Sequence, residues 1–241
     1  PLLDARPLSM YFHEGSVKVK KGEVLGLAGL VGSGTTEIVE AIFGLKRIDE
    51  GSITFLGKPY EAPAPYKSLR RGIGMLAKDR KHSLLLHMPI YCNIALSNAY
   101  DFVRFKIVRL QKKERTESEI YAKKLRLKAA SVQHLASSLS GGNQQKVVIS
   151  RLLCAKCKLF IMDDPTRGID VGAKIDVYNA INELTAEGNS VILISSQLPE
   201  LLGISDRILV ARDGTIAGEF DARSCTQEEI MSIIAGGEKH E

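Results

Sequence analysis

Three short stretches carry residue types that could do chemistry. Gly29-Leu30-Val31-Gly32-Ser33-Gly34-Thr35-Thr36 sets glycines and hydroxyls between an apolar run and a helix-forming one. Leu139-Ser140-Gly141-Gly142-Asn143-Gln144-Gln145-Lys146 sets a serine and two glycines at the head of another helix-forming run. Leu159-Phe160-Ile161-Met162 ends in the paired carboxylates Asp163 and Asp164. Glycine lets an anion approach the backbone, and a helix N-terminus offers free N–H groups to it. Hydroxyl and carboxylate oxygens are what a hard cation such as Mg²⁺ takes. The combination suits phosphate chemistry on a metal-bound nucleotide.

The elements that must position these residues follow from their flanks. Val24-Leu25-Gly26-Leu27-Ala28 is a continuous apolar run, as a buried parallel strand requires. A helix follows the glycines from Glu37 to Phe43. Strand, glycine loop, helix is the setting of a phosphate-binding loop, whose pattern is Gly, four residues, Gly-Lys, then Ser or Thr. Gly29 and Gly34 fit, Thr36 offers the hydroxyl for Mg²⁺, and the lysine position holds Thr35. The missing ammonium forfeits roughly 1–4 kcal/mol of Coulomb interaction at about 4 Å. The backbone N–H nest is unaffected, so Gly29, Leu30, Val31, Gly32, Ser33, Gly34, Thr35 and Thr36 are the expected nucleotide-binding residues.

Ser140 is placed to cap the helix that Gly141-Gly142 opens, leaving its first N–H groups for an anion. Lys158 to Met162 is a buried strand that would hold Asp163 rigidly at a sheet's C-terminal edge, against an Mg²⁺-bound water. Asp164 follows. Beside a glutamate it is shorter by one carbon–carbon bond, ~1.5 Å. Proton abstraction needs a reach of about 3.2 Å, so that shortening matters.

The stretch 139–146, with Asp163-Asp164-Pro165-Thr166-Arg167-Gly168-Ile169-Asp170-Val171-Gly172-Ala173-Lys174, resembles an ABC-transporter ATPase. More narrowly it resembles the second of the two ATPase modules in sugar importers of the ribose, galactose and xylose type. The resemblance runs from about Gly22 to Phe220, and Asn143-Gln144-Gln145 with Arg167-Gly168-Ile169-Asp170 narrow it to that subfamily. It implies ATP and Mg²⁺ as cofactors, with Thr36 and Asp163 on the metal. It places Asp164 where the family has a catalytic Glu, and Ser196 where it has a γ-phosphate-contacting His. It makes Ser140, Gly141, Gly142, Asn143 and Gln144 a signature that completes a partner module's site, and Gly168 and Asp170 a dimer loop. Lys78-Asp79-Arg80-Lys81 stands where the subfamily reads Glu-Asp-Arg-Lys. A nearby aromatic, Tyr11 or Phe12, could stack on adenine, or simply pack.

The implied function is an ATP-binding module energising import of a monosaccharide. Thr35 for Lys, Asp164 for Glu and Ser196 for His all weaken this module's own γ-phosphate machinery, while its signature is intact. The implied partners are an N-terminal ABC module of the same full-length protein, transmembrane permease subunits and, indirectly, a periplasmic or lipoprotein sugar-binding protein. No nucleic acid is implied. The implied location is peripheral, on the cytoplasmic face of the bacterial cell membrane. The alternative is a nucleotide-binding regulatory or assembly protein with no transport role.

The fold class expected is α/β: a P-loop NTPase-type ABC ATPase core, mostly parallel, with an antiparallel β edge and an inserted helical subdomain. Residues 1–241 would form one domain, with 1–83 and 156–241 as nucleotide-binding core and 84–155 as the helical subdomain carrying the signature. The chain has 241 residues, 44% hydrophobic and 25% charged, which suits one large globular domain. It starts at Pro1 and reads as a piece of a longer chain. A net charge of +5, spread along the sequence, is too weak to argue nucleic-acid binding. No apolar run approaches the ~18 residues of a membrane span.

Further strands are expected at 8–12, 17–20, 73–77 and 190–194, with a short strand and turn over 51–57 and a hairpin over 206–220. Pro59 to Tyr66 reads as a loop and 102–118 as a charged connector. Helices are expected at 120–127, at 171–187 with Ile175, Tyr178, Ile181 and Leu184 on one face, and at 226–235. Glu238 to Glu241 would fray. Cys92, Cys154, Cys157 and Cys225 are too scattered for a disulfide scaffold and read as reduced thiols. The histidines show no ligand spacing.

Overall fold

The computed structural model describes residues 1–5, 15–48, 50–61, 64–78, 83–105 and 108–236. The expected strand at 8–12, the aromatics Tyr11 and Phe12, the segment Asp79-Arg80-Lys81 and the tail 238–241 lie outside these residues.

The strands that form the centre are those with no polar alternation. β3 (Val24–Ala28), β9 (Leu159–Asp163) and β10 (Ser190–Ile194) are buried at every residue. Strands buried on both faces belong inside a covered parallel sheet. They lie in a six-stranded sheet with β6 (Ile73–Leu76), β11 (Arg207–Arg212) and β12 (Thr215–Asp221), in the order β12-β11-β3-β10-β9-β6. β6, β9, β10, β3 and β11 run parallel, and β12 is antiparallel to β11. Ile194 of β10 pairs with Asp163 of β9 on one side and Leu27 of β3 on the other. The glycine loop and the carboxylate pair therefore leave one sheet edge, separated by β10, roughly 10 Å apart at ~4.8 Å per strand.

Each face of this sheet has its own core. Leu25, Leu27, Ile161, Ile192 and Ile194 pack against α1 (Thr35–Phe43) and a second, antiparallel sheet. That sheet has the order β2-β1-β4-β5: β2 (Val17–Val19), β1 (Leu3–Ala5), β4 (Ile53–Phe55) and β5 (Lys58–Tyr60). Phe160, Met162, Val191 and Leu193 face the other way, against the helices. Alternation along each strand thus splits its side chains between two cores.

The helical side holds α3 (Ile90–Ala95), a 3₁₀ turn at Leu96–Phe102, α4 (Gln111–Lys124) and α5 (Gly141–Cys154). α5 is buried along almost its whole length between α3, α4 and α6 (Val171–Ala186). α2 (Pro65–Arg71), α7 (Leu198–Ile204) and α8 (Gln227–Ile234) complete the described helices of the core.

Three local expectations are corrected. Pro59 to Tyr66 is not all loop: Pro59 lies in β5, and Pro65 opens α2. β5 is an edge strand, where a residue without an N–H is tolerated, and proline suits a first helical turn. The connector 102–118 contains a two-residue ladder, β7 (Val103–Arg104) with β8 (Val108–Arg109), and the first half of α4. α6 buries Val177, Ala180, Ile181 and Leu184, while Ile175 is exposed.

Candidate nucleotide-binding site

The glycine loop is shaped by close approaches. A Cβ on Gly29 would lie 2.3 Å from Ser33 Oγ and 2.7 Å from the Ala211 carbonyl, so no side chain fits there. Gly34 precedes α1 at φ 103°, the left-handed region glycine enters freely. Ser33 N donates to Leu30 O at 3.0 Å, and Gly214 N donates to Ser33 O at 3.1 Å, which ties the loop to the β11–β12 turn. Leu30, Val31 and Gly32 form an exposed crest, while Ser33, Gly34 and Thr35 are buried and Thr36 is half-buried. α1 has no side-chain cap, so its first-turn N–H groups stay available to an anion. An open cleft of about 480 Å³ runs beside the crest, bounded on its other side by Ala211 to Asp213 and Ile234 to Gly236.

Asp163 ends β9 and is only 5% exposed. Burial pushes its carboxyl above the ordinary range, the Lys78 ammonium pulls it back, and Asp164 adds to the push. Its Oδ1 is buried without a hydrogen-bond partner. A buried orphan oxygen at the phosphate edge fits a hydrated divalent cation, and Thr36 offers the second oxygen donor.

Asp164 is held on every side. Its φ is 46°, its N–H donates to Ile194 O at 2.9 Å, and its Oδ1 accepts from Ser196 N at 2.6 Å. Its Oδ2 lies 3.2 Å from Lys78 Nζ. The residue expected as a base therefore has a partner at each carboxylate oxygen. Ser196 meets it through the backbone rather than through its hydroxyl. The Lys78 partnership has no signal in the sequence, where Lys78 only stands in the place of the subfamily's Glu.

The Ser140 hydroxyl does not cap α5, contrary to expectation. It accepts instead from Asn143 Nδ2 at 2.9 Å, and Asn143 Oδ1 accepts from Lys128 N at 2.8 Å. The helix tip is thus pinned to the 126–128 segment with its own N–H groups uncapped. A Cβ on Gly142 would fall 2.5 Å from Ala173 Cβ, so glycine permits α5 to lie against α6. The side-chain hydrogen bonds of Ser140, Asn143 and Gln144 run to 128–143, and among the described residues none reaches the 29–36 loop or Asp163.

Asp170 is the N-cap of α6 and accepts from Ala173 N at 3.0 Å; Gly168 turns the chain before it at φ 68°. Beneath this turn lies a cluster with no local sequence signal. Glu200 Oε2 accepts from Thr166 Oγ1 at 2.6 Å and Ser195 Oγ at 2.8 Å, and Lys174 Nζ donates to Oε1 at 2.8 Å. Burial pushes the Glu200 carboxyl up, but these donors outweigh it and hold it below the ordinary range.

Comparisons with known proteins bear on the family and the fold. A family model described as ABC transporter matches residues 12–167. A ribose import ATP-binding protein of Bacillus subtilis is 44% identical over 227 residues, covering 94% of this chain and 46% of that protein. A xylose import ATP-binding protein of Thermoanaerobacter pseudethanolicus is 46% identical over 224 residues, covering 92% and 44%. The chain spans about half the length of these relatives. A solved nucleotide-free ATP-binding cassette from an ABC transporter superposes with a TM-score of 0.79 at 24% identity, over 97% of this chain and 95% of that one, which shows the fold. No described helix is long and apolar enough to cross a membrane.

Proposed function

The chain belongs to the ABC transporter family, and on that premise we propose that it is the second ATP-binding module of a monosaccharide importer of the ribose or xylose type. Residues 84–155 act as its helical subdomain, and 1–83 with 156–241 as its nucleotide core. The loop 29–36 binds ATP. Thr36 and Asp163 would hold a nucleotide-bound Mg²⁺, which would neutralise phosphate charge. This local site is hydrolytically poor. The uncapped tip of α5, Ser140 to Gln144, completes the site of a first module in the same full-length protein, with Gly168 and Asp170 along the joint.

One observation carries the division of labour. Each oxygen of the Asp164 carboxylate meets a partner, Ser196 N or Lys78, while the α5 tip is presented without a cap. Permease subunits would dock on the helical subdomain at the cytoplasmic face of the membrane, and a sugar-binding protein would deliver the cargo. The test measures ATP hydrolysis. The chain alone gives turnover at background, and Thr35→Lys with Asp164→Glu and Ser196→His raises it. Brisk turnover by the unaltered chain alone defeats the proposal, and failure to copurify with permease subunits defeats its transport role.

A further inference from the structure

The loop 29–36 has no cation of its own: its side chains are glycine, leucine, valine, serine and threonine. A nucleoside triphosphate carries several negative charges, and loops of this kind normally meet them with a lysine. Here an ammonium stands beside the carboxylate pair instead, near Asp163 and against Asp164. Lys78 leaves the sheet just after β6, whose Leu76 is paired with Met162, and so emerges at the edge that holds Asp163 and the loop. Its Nζ is 3.2 Å from Asp164 Oδ2. The Lys78 side chain is 47% exposed and that of Asp164 only 4%, so the carboxylate is buried while the ammonium reaches solvent. An ammonium has three donors, and one bond to Asp164 leaves others for a phosphate oxygen.

We infer that Lys78 is the phosphate-binding cation of this chain's own nucleotide site, bridging Asp164 and the terminal phosphate of a bound nucleoside triphosphate in place of the lysine missing at 35. The inference rests on the reading of 29–36 as a nucleotide loop. It explains how the site can keep ATP while hydrolysing it poorly, since the same ammonium that holds the phosphate also occupies Asp164.

The test is calorimetric titration of the 241-residue chain with ATP and with ADP. Lys78→Met weakens ATP binding at least tenfold and ADP binding less than threefold. Lys78→Arg stays within threefold of the unaltered chain for both. Adding Thr35→Lys to Lys78→Met returns ATP affinity to within threefold of the starting value. Unchanged ATP affinity in Lys78→Met, equal losses for ATP and ADP, or a loss that Thr35→Lys leaves unrepaired overturns the assignment alone. Absence of ATP binding by the unaltered chain overturns it together with the reading of the loop.

Discussion

Lys146 Nζ lies 3.3 Å from Asp176 Oδ2, with the lysine side chain 4% exposed. The pair joins α5, which has Ser140 to Gln144 at its tip, to α6, whose N-cap is Asp170. Two further pairs, Lys124 with Glu187 and Arg126 with Glu183, continue the same row along α6. Asp176 is a third exposed, so its contribution is below that of a fully buried pair. Asp176→Ala strands a buried ammonium that keeps, among the described residues, only a long bond to the Arg126 carbonyl at 3.4 Å. The expected loss is about 1–3 kcal/mol. Lys146→Met, which removes the charge and keeps the stem, costs less. Urea unfolding of the two variants checks the order, and equal losses contradict it.

The Glu200 cluster makes a pH prediction. The folded carboxyl titrates below its unfolded value. Its stabilisation is therefore complete above the ordinary carboxyl range and fades as pH falls through the lowered folded value. Glu200→Gln keeps the shape and loses the ionic bond to Lys174. Its stability at neutral pH drops by about 1–3 kcal/mol, and the gap between it and the unaltered chain narrows in acid. Chemical denaturation at pH 7 and pH 4 reads both effects. A gap that widens in acid rules this account out.

The cysteine spacing at 154 and 157 makes a simpler prediction. Burial pushes both thiols up to about 12, with Glu117 and Asp101 adding to the push on Cys154. At pH 8 only about one such thiol in ten thousand is ionised, so neither attacks a disulfide reagent. Mass spectrometry after brief labelling of the folded chain finds both unmodified, and both modified after unfolding in urea. Fast labelling of either in the folded chain shows a redox pair.

The central strands were legible because β3, β9 and β10 are unbroken apolar runs, and the loop because glycine, strand and helix follow one another locally. The elements missed were those where two rules compete. Pro59 and Pro65 read as breakers, yet an edge strand and a first helical turn both accept proline. Ile175 read as a core residue of α6, but the buried stripe runs through the small Ala180 instead. The partners of Asp164 were illegible for another reason. Lys78 and Ser196 come from the ends of β6 and β10, and only the sheet order brings them to the end of β9.

That convergence decides how the local site could be revived. A general base must lie within hydrogen-bond reach of its proton donor. Asp164→Glu lengthens the arm, but Lys78 remains beside it to take the new carboxylate. Thr35→Lys makes the ammonium at 78 dispensable for holding phosphate. The chain with Thr35→Lys, Asp164→Glu and Ser196→His therefore gains ATP hydrolysis, and adding Lys78→Gln to those three raises turnover at least tenfold more, within the range general-base catalysis supplies. Lys78→Gln alone leaves turnover at background, because the arm at 164 is still short and the loop still lacks its charge. Steady-state phosphate release compares the variants. If the fourth substitution adds nothing to the other three, the ion pair between Lys78 and Asp164 is not what silences the site.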